Sequence, residues 1–370
     1  NFGQTGFTYT PPTGAKAIST ANLATPSITD GSAYFQPVLY TGTTGAQDIT
    51  FSGNSDLAPD WLWFKARSAA SNHFLFDKVR GALKKIESDR TAAEATSTGS
   101  MTAFGTDGFS LGDGGSANDI NGVSGTTYVA WGWAANGSGS SNEDGTINTI
   151  KTSANTTSGF SVLTYTGNGS DNQTLGHGLG IAPKMIFSKR TDTTGNWTMY
   201  HDAVGINKVM YLNLSNLPAS NTEQYRATPS SSVYTVGVGG DINASGGSYV
   251  AYCFAEVEGF SKMGSYVANA SADGPFVNCG FTPAFVIFFS IAGSGAGRWM
   301  LDTARSPFNV ADDIVQANTS ADEDSGSSYR LDFVSNGFKI RTSSDFNSSG
   351  RTIAFAAFAE NPFGGDGAAP

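Results

Sequence analysis

A set of landmarks that recurs three times in one order limits how this chain can fold. The first is Tyr-Thr-Gly or a relative of it: Tyr40-Thr41-Gly42, Tyr165-Thr166-Gly167 and Tyr266-Val267-Ala268. The second is a proline ahead of an apolar run: Pro59 before "DWLWFK", Pro183 before "KMIFSK" and Pro283 before "AFVIFF". The third is an aspartate closing an aromatic stretch: Asp77 in "HFLFD", Asp202 in "WTMYHD" and Asp302 in "RWMLD". Tyrosine to proline spans 19, 18 and 17 residues, and proline to aspartate 18, 19 and 19. An apolar pair before an Asn/Asp turn follows ("KKIESD", "YLNLSN", "DIVQAN"), then a Gly-aromatic strand ("DGFSLG", a degenerate "SVYTVG", "NGFKIR"). An Asn/Ser/Gly turn before a closing strand completes the set ("NGVSGTTYVAWGW", "NASGGSYVAYCF", "NSSGRTIAFAAF"). Self-similarity of this kind is the signature of repeated supersecondary architecture.

The pattern inside each repeat is that of strands and turns. "DWLWFK" and "AFVIFF" are nearly continuous apolar runs, as a strand covered on both faces requires. "DGF", "NGF" and "SGG" supply the positive-φ positions of tight hairpins. The helix-like "GALKKIESDRTAAEAT" is read as a strand and turn, because its counterparts carry strand formers. Charged residues are only 14% of the chain while aromatics reach 12%, too apolar for disorder. The expected fold is all-β with little helix: three tandem β-sandwich units of jelly-roll or concanavalin-like type. Their boundaries are 40–136, 160–260 and 261–363, with a Gly/Ser/Asn-rich linker at 137–159 carrying a short strand near "TINTIK" and a flexible tail at 364–370.

Composition narrows the function classes. The net charge is −10, and the densest basic cluster, Lys78 to Arg90, also holds acids, which argues against phosphate-tracking nucleic-acid binding. The longest apolar stretch, Phe281 to Ala292, is too short to span a bilayer as a helix. Cys253 and Cys279 lack metal-type neighbours and read as small buried apolar residues, with a disulfide between them as the alternative.

Three chemistries were weighed on particular residues. His201-Asp202 has the residue types of general acid–base work, but Phe76-Asp77 and Leu301-Asp302 stand in its place, so the spacing assigns the aspartate to the repeat and not the histidine. A strand-ending aspartate reads as a turn cap. No nucleophile elbow or phosphate loop occurs, and the acids Asp322, Glu323 and Asp324 read as a solvated turn; no enzyme is expected. The loops Asp113 to Asn121 and Asp322 to Asp324 carry oxygen ligands suited to Ca2+ but match no EF-hand spacing; no cofactor is assigned. Saccharide sites pair an aromatic face with Asn, Asp and backbone groups. The candidate glycan contacts are therefore Trp197 with Asp202, Trp299 with Asp302, and Phe74 with Asp77, against the alternative that these rings are core. A binding module should leave aromatics exposed beside polar loops, and a spacer should bury them all.

The opening "NFGQ" and "YTPPTG" resemble the end of SPRY-type domains in marine-phage virion proteins. "LAPDWLWFKAR", "DGFSLG" and "YVAYCFAE" resemble a domain family of unknown function that follows such regions. The resemblance implies that residues 1–39 are the end of an upstream SPRY-like sandwich and its connector. It also implies a virion-surface, extracellular protein: a tail-fibre, spike or appendage segment for host attachment. The implied partners are further copies of the chain as a homotrimer, other virion proteins and a host-surface glycan, with no membrane insertion. The alternatives are a purely structural decoration or spacer part and, further off, a glycan depolymerase.

Overall fold

The computed structural model describes residues 26–114, 119–293 and 297–362. Residues 1–25 of the expected SPRY-like opening and connector, and the tail from 364, lie outside these residues; the described 26–39 already enter the first strand, which begins at Phe35. The regular structure of the described residues is almost entirely antiparallel β, built as sheets packed face to face, in agreement with the all-β, sandwich-type expectation.

The first nine strands are β1 (Phe35–Thr41), β2 (Gln47–Ile49), β3 (Trp61–Ala66), β4 (Phe74–Asp77), β5 (Lys84–Glu87), β6 (Ala95–Thr96), β7 (Met101–Phe104), β8 (Phe109–Leu111) and β9 (Thr127–Trp133). They form a large sheet in the order β1-β9-β3-β4-β5-β6 and a small one, β2-β8-β7. Next come β10 (Lys151–Asn155), β11 (Phe160–Thr166), β12 (Gln173–Gly176), β13 (Met185–Arg190), β14 (Trp197–His201), β15 (Lys208–Tyr211), β16 (Ala219–Ser220), β17 (Tyr225–Ala227), β18 (Val233–Val236) and β19 (Ser248–Phe254). Their large sheet runs β10-β11-β19-β13-β14-β15-β16, and the small one β12-β18-β17. The last set is β20 (Ser261–Val267), β21 (Phe276–Asn278), β22 (Phe281–Ala292), β23 (Arg298–Asp302), β24 (Val315–Gln316), β25 (Leu331–Val334), β26 (Gly337–Ile340) and β27 (Thr352–Pro362), in sheets β20-β27-β22-β23-β24 and β21-β26-β25. One strand order thus recurs in three large sheets: opening strand, closing strand, apolar strand, then the strand that carries the aspartate landmark. The linker strand appears later than expected, as β10, and joins the second sheet as its edge.

The pleat explains the apolar runs. Trp61 and Trp63 face one side of β3, and Leu62 and Phe64 the other. The second side packs on the small sheet, with Met101, Phe109 and Leu111. The first side packs on the other two large sheets in a common core. Nine side chains at matching register positions meet at its centre: Trp61, Trp63 and Trp133; Met185, Phe187 and Phe254; Phe285, Ile287 and Phe358. Ring contacts join every pair of sheets: Trp61–Tyr252 at 4.6 Å, Phe254–Phe358 at 5.7 Å and Trp133–Phe285 at 5.9 Å. Burying each large side chain contributes roughly 1.5–3 kcal/mol.

The landmarks have structural work to do. The tyrosines Tyr40, Tyr165 and Tyr266 each donate a hydroxyl hydrogen bond to a backbone carbonyl across the sandwich, those of Ile120, Ile242 and Phe346 (2.7, 2.7 and 2.9 Å). The residue after each carbonyl is an asparagine that pins the end of its sandwich. Asn243 Oδ1 accepts from Asn168 N, and its Nδ2 donates to Ser170 O and Gly237 O; Asn121 and Asn347 make the matching bonds. In the "DGF" and "NGF" landmarks, Gly108 (φ 117°) and Gly337 (φ 156°) lie so close to the facing strand that a Cβ would sit 1.9 Å from Ile49 O and 2.0 Å from Val277 O.

Candidate functional site

The side chains that looked chemical in the sequence are mostly spent on joining the large sheets. Asp77 is fully buried; its carboxylate accepts from Arg80 N (2.8 Å) and Nε (2.6 Å) on its own loop and from Tyr252 Oη (2.7 Å) on β19 of the second sheet. Asp302 does the same with Arg305 N (2.8 Å), Arg305 Nε (2.6 Å) and Trp131 Nε1 (3.0 Å) on β9 of the first sheet. The pairing register puts His201, not Asp202, in the third such place: Trp61 faces Asp77, Met185 faces His201, and Phe285 faces Asp302. The assignment of the acid to the repeat at Asp202 is therefore off by one residue. The partner explains the exchange. Where the other closing strands offer Tyr252 and Trp131, β27 offers Ala356, which has no donor. His201 Nε2 instead donates to the Phe355 backbone oxygen (3.1 Å), while its Nδ1 accepts from Ala203 N (3.2 Å). Burial lowers the His201 pKa to about 4, so the ring is neutral. Asp202 lies outside, its side chain 43% exposed, paired with Lys184 at 3.0 Å.

A second ring of contacts runs between the same sheets. His73, Trp197 and Arg298 each stand four residues before Asp77, His201 and Asp302. His73 Nε2, fixed as the donor by the Trp63 indole on Nδ1, bonds Gln316 O (3.0 Å). Trp197 Nε1 bonds Glu87 O (2.8 Å), and Arg298 Nε bonds Tyr211 O (3.1 Å). First sheet to third, second to first and third to second, each side chain holds a matching strand of its neighbour. Buried Lys65 and Lys189, with pKa values lowered to about 8 by burial, reinforce the first two with bonds to Ser320 O and Thr91 O (3.4 Å each). A lone lysine closing an apolar run was the available sign of these buried cations. The acids of "ADEDSG" are likewise not simply a solvated turn: Glu323 takes a two-pronged bond from Arg67 of the first sheet (2.8 and 2.7 Å).

Of the candidate glycan contacts, Phe74, Asp77, Trp197 and Asp302 are buried in these contacts or in the core. Lys85 covers the Phe74 ring at 4.6 Å. Trp299 is offset from Trp197 by one residue, so it faces the opposite side of its sheet. Only 3% of Trp299 is exposed, yet it lines a cleft of about 460 Å³. Asn213 and Ser215, Gln316, Asn318 and Thr319, and Tyr329, Asp345 and Arg351 line it as well. The Arg351 guanidinium sits 5.8 Å from the Trp299 ring, and its Nη1 donates to Asp345 O (2.6 Å). Burial raises the Asp345 carboxyl pKa, with Asp324 adding to the rise and Arg351 opposing it. Asp345 also holds φ 46°, left-handed backbone that Asp and Asn tolerate best. Asn318 Oδ1, Thr319 Oγ1 and Arg351 Nε find no hydrogen-bond partner among the described residues.

A family model described as a domain of unknown function, DUF7483, matches residues 30–362. The chain belongs to that family. No curated protein and no solved structure matches this DUF7483 chain.

Among the described residues of the DUF7483 fold, no cluster of three or more His, Cys, Asp or Glu could hold a metal ion, and no helix is long and apolar enough to cross a membrane. In the described part of the Asp113 to Asn121 loop, Asp119 accepts from the Ile120 backbone (2.7 Å) and from Ser100, and Asn121 pins the sandwich end. Both cysteines are unpaired and buried, and burial raises the Cys279 thiol to about 12. The cleft presents hydrogen-bond donors and acceptors beside the Trp299 and Tyr329 rings. One carboxylate, Asp345, lines it, whereas glycoside hydrolysis uses two. Its walls come from four separate segments, so no local motif could have announced Tyr329, Asp345, Arg351, Asn318 or Thr319.

Proposed function

We propose that this DUF7483 chain is the attachment module of a bacteriophage virion-surface protein, a tail-fibre, spike or appendage segment that meets the host cell and binds without turnover. In this reading the three sheet pairs are homologous sandwich repeats that close on one another as a trimer would. The observation that carries it is the shared core, where nine matching positions from three large sheets pack together. Such a block is densely packed at its centre and low in charge, which suits an extracellular appendage. Because the trimer-like core is already complete within one chain, the module needs no homotrimer to bury it, and a purified chain should run at its own mass of 38.4 kDa.

Burial of most candidate aromatics favours a second reading, a decoration or spacer part without a ligand. One experiment separates the readings. Antibody against the chain is used to gold-label particles released from cells that carry its coding sequence, and labelled chain is added to a panel of bacterial cells. Labelled particles with saturable cell binding support attachment; labelled particles with no binding leave the spacer; unlabelled particles overturn both.

A further inference from the structure

Resting on the attachment reading, we infer that the cleft over Trp299 is a binding site for a neutral saccharide of one or two rings. Its volume of about 460 Å³ falls within the 300–1,000 Å³ typical of small-molecule sites. The charge balance sets the class. Arg351 and Asp345 line the cleft side by side with opposite charges, and the Asp345 carboxyl feels Asp324 as well. A uronic or sialic carboxylate would add a further negative charge beside Asp345, in a chain of net charge −10. A nucleotide would bring two or more negative charges to a single guanidinium. A neutral polyol brings none.

The hydrogen-bonding inventory fits a polyol. Among the residues that line the cleft, the Asp345 carboxylate accepts hydrogen bonds, while the Ser215 hydroxyl and the Gln316 amide both donate and accept. Sugar hydroxyls donate and accept together, so one ring in the cleft can pair with all three of these groups. The partly exposed Tyr329 ring and the Trp299 edge supply apolar surface for the ring C–H groups.

The test is titration of the full chain with glucose, galactose, mannose, N-acetylglucosamine and glucuronic acid, read by indole N–H shifts in NMR and by calorimetry. The same titrations are run on Asp345→Asn, which keeps the left-handed backbone. The expected result is millimolar binding of at least one neutral sugar, weakened about tenfold in Asp345→Asn, which is ~1.4 kcal/mol, and no binding of glucuronic acid. Absence of neutral-sugar binding at tens of millimolar, equal binding of glucuronic acid, or unchanged affinity in a folded Asp345→Asn overturns the assignment. If particles are labelled and cells are bound while these titrations fail, the saccharide inference falls and the attachment reading stands.

Discussion

Replacing Asp302 by alanine tests whether the large sheets are held by the buried acid. The carboxylate accepts three hydrogen bonds, two from Arg305 and one from Trp131 on another sheet. Both partners of the ion pair are fully buried. Removing one member of a buried pair costs about 3–5 kcal/mol, because the other charge stays desolvated. Arg305 keeps Met300 O at 2.8 Å and Glu323 at 3.4 Å, which places the loss near the lower end, about 3 kcal/mol. With ~2.1 cal/mol/K of unfolding entropy per residue, that loss lowers Tm by about 4 °C for a cooperative chain of 370 residues. Urea unfolding followed by tryptophan fluorescence measures it directly. Asp202→Ala is the control, since its exposed pair with Lys184 is worth at most about 1 kcal/mol. The double variant Asp302→Ala with Arg305→Met should recover part of the loss, because no charge is then left buried. The reasoning fails if Asp302→Ala unfolds within about 1 kcal/mol of the parent, or if Asp202→Ala costs as much.

Three further outcomes follow from other parts of the fold. Gly108→Ala should lose at least about 2 kcal/mol, because its Cβ would overlap Ile49 O at 1.9 Å; Gly137→Ala, where a Cβ meets open space, should lose clearly less in the same urea series. His201 is neutral in the fold with its pKa lowered from 6.5 to about 4. As pH falls between these values the unfolded chain takes up a proton that the fold refuses, so stability drops by up to ~1.4 kcal/mol per pH unit from this group. His201→Gln should flatten that slope, and chemical unfolding at pH 7, 6, 5 and 4.5 will show whether it does. Cys253 and Cys279 should resist a thiol reagent at neutral pH until the chain is unfolded, and labelling within minutes of mixing would contradict their burial.

Much of the architecture was legible because repetition averages out local ambiguity. "GALKKIESDRTAAEAT" favours helix by propensity, yet its counterparts indicated a strand, and β5 is one. The tyrosine, glycine and asparagine landmarks were visible as spaced residues, since each serves the inside of its own sandwich. The contacts between large sheets were not legible. Their partners lie far apart in sequence, as with Asp77 and Tyr252 or His73 and Gln316, and nothing local marks them. The slip at Asp202 has the same origin. The sequence was aligned on the identity of the acid, while the fold aligns on pairing register and accepts a histidine where the opposite strand has lost its donor. The candidate aromatics carried the complementary ambiguity: a tryptophan in a strand looks the same whether it lines a cleft, as Trp299 does, or caps a neighbour's carbonyl, as Trp197 does.

Enclosing the threefold-like core within one polypeptide frees the three sheet pairs from sameness. Three identical chains around an axis must place the same side chain at every symmetry-related point, and any cleft built on one would appear on all. Here Trp299 stands where the first sheet has Phe74 and the second Thr198. An attachment module of the proposed kind would thus be monovalent at that point. Avidity toward a surface would have to come from how many modules an assembly carries and how far apart it holds them, which hands control of grip strength to the assembly and leaves each cleft free to stay weak and reversible.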